Sequence, residues 1–192
     1  MGVLIDWISQ PPTPCDLLLV AMPGVGDVGK LAIDAVNAEL DAEPIARILH
    51  PALPPLAKLD EDGLLAPPHI LLSRVIVDDR EVYTLTGDAQ PMTPEGQHEL
   101  AVSVLELCEG GEVLVLAGMS AQAERKEVFT ITSSSSYRIE LESMGVDVRR
   151  DEPKAGVIGM AALITAIGPI KNVKTSCTIA TTVGNSADPV AS

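Results

Sequence analysis

Apolar residues are distributed along this chain in two distinct patterns. Continuous apolar runs of strand length, such as "CDLLLVAMP" at 15–23 and "EVLVLAG" at 112–118, are typical of strands buried on both faces. Between such runs, stretches such as "GDVGKLAIDAVNAELD" at 26–41 place apolar residues at helical spacing. Strands that alternate with helices in this way predict an α/β fold.

Further elements follow the first strand and helix. "EPIARILH" at 43–50 predicts a second strand, joined to the first by a right-handed parallel crossover. "HILLSRVIV" and "EVYTLTG" flank "DDR", which predicts a hairpin, and the proline-rich segment 51–68 predicts an irregular surface loop. Thr93 can cap a helix that starts at Pro94 and that Gly110 can end.

The last third of the chain continues the alternation. "EVFTITSSS" predicts a short strand, "SSYRIELESMG" a helix that Gly145 ends, and "KTSCTIATT" a last strand. "AGVIGMAALITAIGPI" at 155–170 predicts a buried helix, because a bilayer span needs about 20 apolar residues. We therefore expect one three-layer α/β/α domain over residues 1–192, with a mixed, largely parallel central sheet.

Charge and cysteine content narrow the function classes. Thirteen basic against 27 acidic residues give a net charge of -14, which disfavours nucleic acid and anionic membranes as partners. Cys15, Cys108 and Cys177 are widely spaced and form no metal-ligand cluster, so we expect reduced thiols. The first residues lack a basic region ahead of an apolar run, which favours a cytoplasmic protein over a secreted one.

A glycine-rich turn follows the first strand, in "MPGVGDVGKL" at 22–31. Gly24, Gly26 and Gly29 fit the dinucleotide fingerprint GxGxxG. Gly24, Gly29 and Lys30 fit all but the last position of the triphosphate loop GxxxxGK[ST]. That last position needs a hydroxyl that binds magnesium, and Leu31 stands there, which disfavours ATP or GTP hydrolysis.

The dinucleotide interpretation of the turn meets its own obstacles. It requires an acidic residue at the end of the second strand, where His50 stands, and Asp27 would bring negative charge close to a pyrophosphate. The structural interpretation is that the glycines let the backbone turn sharply and let the helix pack closely on the sheet. The helix N-terminus still makes the turn a candidate anion site.

Two polar residues follow the second hairpin strand, in "TGDAQPMTPEGQ". Asp88 and Gln90 stand at the exit of a predicted strand, where α/β proteins often carry functional groups. The alternative is that both side chains bond to loop backbone. The candidate ligand-binding residues are Gly24, Gly26, Asp27, Gly29, Lys30, Asp88 and Gln90; no catalytic set, metal site or cofactor is predicted.

Several of these stretches, in the same order, resemble the proteasome assembly chaperone family, in its chaperone-2 branch with archaeal and bacterial homologues. The resemblance rests on "MPGVGDVGKLAIDAVNAELDAEPIARI", "LHPALPP", "TGDAQPMTPEGQHELA", "VLVLAG", "AGVIGMAALITAIG" and "DPVAS". It implies a three-layer α/β/α fold similar to purine nucleoside phosphorylases. It also implies a homo-oligomer of three to five copies that assists assembly of proteasome α-subunits, and it brings no agreed catalytic set.

The chain departs from the family pattern at three places. Thr181 and Thr182 stand where members tend to have a glutamate, and "AGVIG" replaces the common GPxxG. Homologues usually continue past "DPVAS" into a further helix, and archaeal members can use a C-terminal motif to dock into α-ring pockets. The resemblance thus implies either a shortened C-terminus or the absence of that device. The alternative function is binding or conversion of a nucleoside, nucleotide or phosphorylated small molecule at the strand ends.

Overall fold

The computed structural model describes residues 2–12, 15–60, 62–184 and 187–192. Its strands are β1 (Leu4–Trp7), β2 (Leu17–Ala21), β3 (Glu43–Leu49), β4 (Lys58–Leu59), β5 (Leu65–Ala66), β6 (Ile70–Val77), β7 (Arg80–Gly87), β8 (Glu112–Ser120), β9 (Val128–Thr132) and β10 (Lys174–Thr182). Its α-helices are α1 (Val28–Glu39), α2 (Pro94–Leu107), α3 (Ser135–Ser143) and α4 (Gly159–Ile167). Short 3₁₀ turns at Val25–Asp27 and Gly168–Lys171 adjoin α1 and α4.

Eight strands form a mixed sheet in the order β1-β3-β6-β7-β2-β8-β10-β9. The central strands β7, β2, β8 and β10 pair in parallel, and the outer pairings are antiparallel. The predicted α/β class with a mixed sheet is confirmed, although parallel pairing is confined to the centre. β3 runs parallel to β2, as predicted, but the β6–β7 hairpin lies between them.

Helices cover both faces of the sheet, which gives the three predicted layers. α1 packs on β2, β7 and β8, whereas α4 packs on β8, β10 and α2. The main hydrophobic core lies on the α2 and α4 side, where Leu100, Leu105 and Ile164 are fully buried with the strand residues. Val28 and Ile33 of α1 are buried outside that cluster, on the opposite face.

Local turn chemistry explains why several predicted boundaries are confirmed. Asp78 and Asp79 both have positive φ, which suits the two-residue turn between β6 and β7. The Thr93 hydroxyl accepts a hydrogen bond from the Gly96 amide at 3.1 Å and caps α2. Gly145, with φ of 84°, follows the end of α3.

Two local predictions need correction, and one strand was not predicted. α4 begins at Gly159 rather than at Ala155, because Gly156 and Gly159 adopt positive φ and shape a loop before the helix. The proline-rich segment is not wholly irregular, since β4 and β5 form a short antiparallel hairpin within it. The edge strand β1 had no counterpart among the predicted elements. Within the described ranges, no helix is long and apolar enough to cross a bilayer.

The cysteines depart from the expectation of three reduced thiols. Cys15 and Cys108 are joined as a disulfide pair, with their Cα atoms 4.9 Å apart and a sequence separation of 93. Cys15 precedes β2 and Cys108 caps α2, and both are buried. Their separation in sequence is the reason that spacing gave no sign of the pair.

Cys177 is free and lies in the middle of β10 with no exposed surface. Burial raises the pKa of its thiol to about 12. We therefore expect the native protein to show no reaction with Ellman's reagent at pH 8, and the unreduced, unfolded protein to show one reactive thiol per chain. Three reactive thiols on unfolding would contradict the pairing of the other two cysteines, and reaction in the native state would contradict the burial.

Candidate functional site

The carboxyl ends of β2, β7, β8 and β10 meet at one edge of the sheet, because these strands are parallel. The glycine-rich turn follows β2, and Asp88 and Gln90 follow β7. The chain segments that follow β8 and β10 start at the same edge. The sequence-predicted candidates thus lie at the edge where open α/β sheets carry their ligands.

The glycine-rich turn is closed by its own aspartate. Gly26 and Asp27 both adopt positive φ, at 65° and 49°. The Gly24 amide donates to Oδ1 of Asp27 at 3.2 Å, and the Asp27 amide donates to the Gly24 carbonyl at 3.1 Å. The Gly24 amide, which could otherwise donate to a bound phosphate, therefore already donates to the Asp27 carboxylate. This hydrogen bond argues against anion binding at the turn.

Close packing accounts for two glycines around this turn. A β-carbon at Gly29 would overlap the carbonyl oxygen of Leu116 in β8, and one at Gly118 would overlap that of Val25. At Gly24, by contrast, the nearest atom to a β-carbon is the Met22 oxygen, 3.8 Å away. The turn and the start of α1 thus lie directly on β8, as the structural interpretation of the motif requires.

Lys30 and Asp88 are both paired with nearby residues. Lys30 Nζ lies 2.6 Å from Oδ2 of Asp34, one helical turn along α1. Lys58 Nζ donates to Oδ2 of Asp88 at 2.7 Å, and this hydrogen bond lowers the pKa of that carboxyl. Both Lys30 and Asp88 line a cavity of about 420 Å³ beneath the β4–β5 hairpin, and none of Gly24, Gly26 and Gly29 lines it.

Gln90 bridges two walls of a different cavity. Its Nε2 donates to the Pro23 carbonyl at 2.8 Å, and its Oε1 accepts from the Met160 amide at 3.1 Å. A β-carbon at Gly159 would lie 2.9 Å from that Oε1, so the glycine leaves room for the bridge. The amide bonds to backbone at both ends, to the loop at Pro23 and to the first turn of α4 at Met160, which is close to the alternative raised by the sequence.

The cavity that Gln90 spans is a cleft of about 750 Å³ between the glycine turn and residues 153–161. The ends of β2 and β8 form its floor, and α4 begins on its far wall. The described lining residues carry no charged side chain. The sequence-predicted candidates therefore separate: Gly24, Gly29 and Gln90 line this cleft, whereas Lys30 and Asp88 line the other cavity.

Gly26 contacts Asp188, and neither Gly26 nor Asp27 lines either of these two cavities. The Asp188 amide donates to the Gly26 carbonyl at 2.8 Å, and the Thr182 hydroxyl donates to Oδ2 of Asp188 at 2.7 Å. The Thr182 hydrogen bond and backbone amides lower the pKa of Asp188. The sequence-based candidates did not include Asp188, Gly118 or residues 153–161 as parts of this edge; the stretches "DPVAS", "VLVLAG" and "AGVIG" contain or overlap these residues and were the available signals.

Neither His50 nor a metal-ligand group is found at the two cavities among the described residues. His50, at the end of β3, contacts Glu99 of α2 at 3.1 Å rather than either cavity. Among the described residues, no group of three His, Cys, Asp or Glu side chains is arranged to hold a metal ion. The fold and the edge define a three-layer α/β/α protein with a preformed, uncharged cleft at the carboxyl ends of its central strands.

The chain belongs to the PAC2 family, whose model matches residues 18–192. This membership confirms the resemblance to proteasome assembly chaperones. Among curated proteins, the chain is 24% identical over 180 residues to the uncharacterized protein MJ1210 of Methanocaldococcus jannaschii, with 90% of this chain and 68% of that protein covered.

Solved structures of two Pyrococcus furiosus proteins share the fold. PbaB, described as an archaeal proteasome activator, superposes with a TM-score of 0.85 at 20% identity, over 99% of this chain and 84% of PbaB. PbaA, described as an archaeal homolog of proteasome-assembly chaperone, superposes with a TM-score of 0.79 at 23% identity, over 100% of this chain and 77% of PbaA. The likeness establishes a common three-layer architecture.

Proposed function

We propose that this protein is a binding protein rather than an enzyme, and that it acts in the cytoplasm as a homo-oligomer on proteasome α-subunits. The proposal is supported by membership of the PAC2 family over residues 18–192. It is further supported by the near-complete superposition on PbaB. Three to five copies per assembly is our expectation for the oligomer.

A contact surface suited to this role is the hairpin formed by β4 and β5. Leu59 and Leu65 stand directly opposite each other in the hairpin register, and each is 71% exposed. Leu56 and Leu64 next to them are also exposed. Large apolar side chains grouped on one exposed hairpin are typical of protein interaction sites.

The hairpin is held on the body of the protein without covering these leucines. The Lys58–Asp88 ion pair fixes its base to the end of β7. Asp60 Oδ1 accepts hydrogen bonds from the amides of Asp62 and Leu64 and shapes the tip. We infer that Leu59 and Leu65 remain exposed on the hairpin and are available to contact a partner subunit.

The experiment is a pull-down from the native cell with the full chain as bait, combined with light scattering of the purified protein. We expect proteasome α-subunits to be recovered and the Leu59→Ser/Leu65→Ser variant to recover at least about tenfold less. Ile139→Ser is the matched control, because Ile139 is 64% exposed on α3, which packs on β9 at the far edge of the sheet.

Three results separate the parts of the proposal. Recovery of no α-subunit by the unmodified protein would overturn the proteasome role. Full recovery by the leucine variant, with its fold intact by circular dichroism, would overturn the hairpin as the contact surface. A monomer at micromolar concentration would overturn the homo-oligomer.

A further inference from the structure

The cleft beside the glycine turn lies where the topology of the sheet creates a crevice. β2 and β7 are neighbouring parallel strands. The chain that leaves β2 forms α1 on one face of the sheet, and the chain that leaves β7 forms α2, which packs with α4 on the opposite face. Helices that depart to opposite faces from adjacent strand ends leave a gap between them, and open α/β proteins bind ligands in such gaps.

The walls of this cleft are apolar side chains from the strands and the opposite loop. The strands contribute Val20, Val115, Ala117 and Ile179, and the glycine turn and the 153–161 loop contribute Val25 and Val157. Met22, Met119 and Met160 also line it, and methionine side chains adapt to irregular ligand shapes. The lining favours a ligand that is itself largely apolar.

The few polar groups at the cleft are already partly used within the protein. Both ends of the Gln90 amide bond to backbone, and Gln97 Nε2 donates to the Pro91 carbonyl at 2.9 Å. The Gly24 amide faces Asp27. With a net charge of -14 on the chain and no charged side chain in the described lining, a phosphate or carboxylate would find no counter-charge there.

We propose that this cleft binds an uncharged, mainly apolar small molecule. Its volume of about 750 Å³ falls within the range of small-molecule sites, roughly 300 to 1,000 Å³. Gln90 joins the two walls through Pro23 and Met160, and an extended peptide cannot run past that bridge. A compact molecule fits such an interrupted cleft better than a strand of a partner protein does.

The test uses Nile red, a neutral dye whose fluorescence rises in apolar surroundings, with the full chain. We expect saturable binding of one dye per chain. We also expect displacement by 1-decanol at concentrations at least about tenfold lower than those of decanoate, since only the acid carries a charge. Inorganic phosphate and AMP are expected neither to displace the dye nor to raise the melting temperature.

A blocking variant and a matched control locate the site. Ala117 faces the cleft from β8, and a phenyl ring there would fill part of it. We expect Ala117→Phe to weaken Nile red binding about tenfold or more, whereas Ala38→Phe, on the exposed face of α1, leaves it unchanged. Ala155→Trp, at an exposed position of the opposite wall, is a second blocking variant that does not disturb the sheet.

Several outcomes would overturn the proposal. They are the absence of saturable dye binding, equal binding by the folded blocking variants and the control, and displacement by AMP or phosphate. Dye binding that disappears when the chain self-associates, as followed by light scattering, would assign the cleft to contacts between subunits instead. None of these outcomes bears on recovery of proteasome α-subunits, so the functional proposal is tested separately.

Discussion

Replacement of Gly29 by alanine is expected to destabilise the protein by about 3 kcal/mol or more, whereas the same change at Gly24 is expected to cost less than about 1 kcal/mol. At Gly29 the new methyl group would overlap the backbone carbonyl of Leu116. Backbone cannot move aside as a flexible side chain can, so α1 must shift away from β8. In an isolated helix the replacement of glycine by alanine would instead stabilise the helix by about 1 kcal/mol. The steric cost of the overlap with Leu116 is larger than this gain in helix propensity.

Gly24 serves as the matched control for Gly29 in the same motif. Its φ of -162° is extended backbone that any residue adopts, and a β-carbon there would meet nothing closer than 3.8 Å. Urea unfolding of both variants, followed by circular dichroism, gives the two free-energy changes. Equal destabilisation by the two substitutions would contradict the close-packing account of the motif.

The Gly29 and Gly24 comparison also tests how far a motif can be interpreted from sequence. Both glycines satisfy the dinucleotide and the triphosphate patterns, so spacing alone cannot assign them different tasks. The structure assigns close contact with β8 to Gly29 and an amide that faces Asp27 to Gly24. The task of Gly29 depends on a strand neighbour more than 80 residues away in the chain, which no local pattern contains.

The fold was more predictable from the sequence than the site, because the site depends on contacts between residues that are distant in sequence. Periodicity, caps and turns act over a few residues, and they placed the β6–β7 hairpin, α2 and β10 correctly. The site depends on contacts distant in sequence, such as Gln90 with Met160 and Asp188 with Gly26. The Cys15–Cys108 pair belongs to the same group. Asp88 and Gln90, two residues apart in sequence, line different cavities for this reason.

Aromatic side chains are scarce in this chain, and Phe129 is among its largest fully buried side chains. Aromatic residues are 2% of the chain, and Phe129 is its one phenylalanine. Phe129 is fully buried in β9 opposite Ile179 of β10, and the Arg149 guanidinium lies 5.4 Å from the ring centroid. Its ring fills the core near the end of the sheet, where β9 has only one neighbouring strand among the described elements.

We therefore expect Phe129→Ala to lower the free energy of unfolding by about 3–5 kcal/mol and the melting temperature by about 10 °C. The loss combines a large buried apolar surface, a cavity that backbone hydrogen bonds to β10 prevent from closing, and the contact with Arg149. Phe129→Leu is the control; it retains most of the volume and should cost less than about 1.5 kcal/mol. Calorimetry and urea unfolding measure both variants. A cost below about 1 kcal/mol for the alanine variant would show that the edge strand collapses onto the space, and that β9 is not a rigid part of the core.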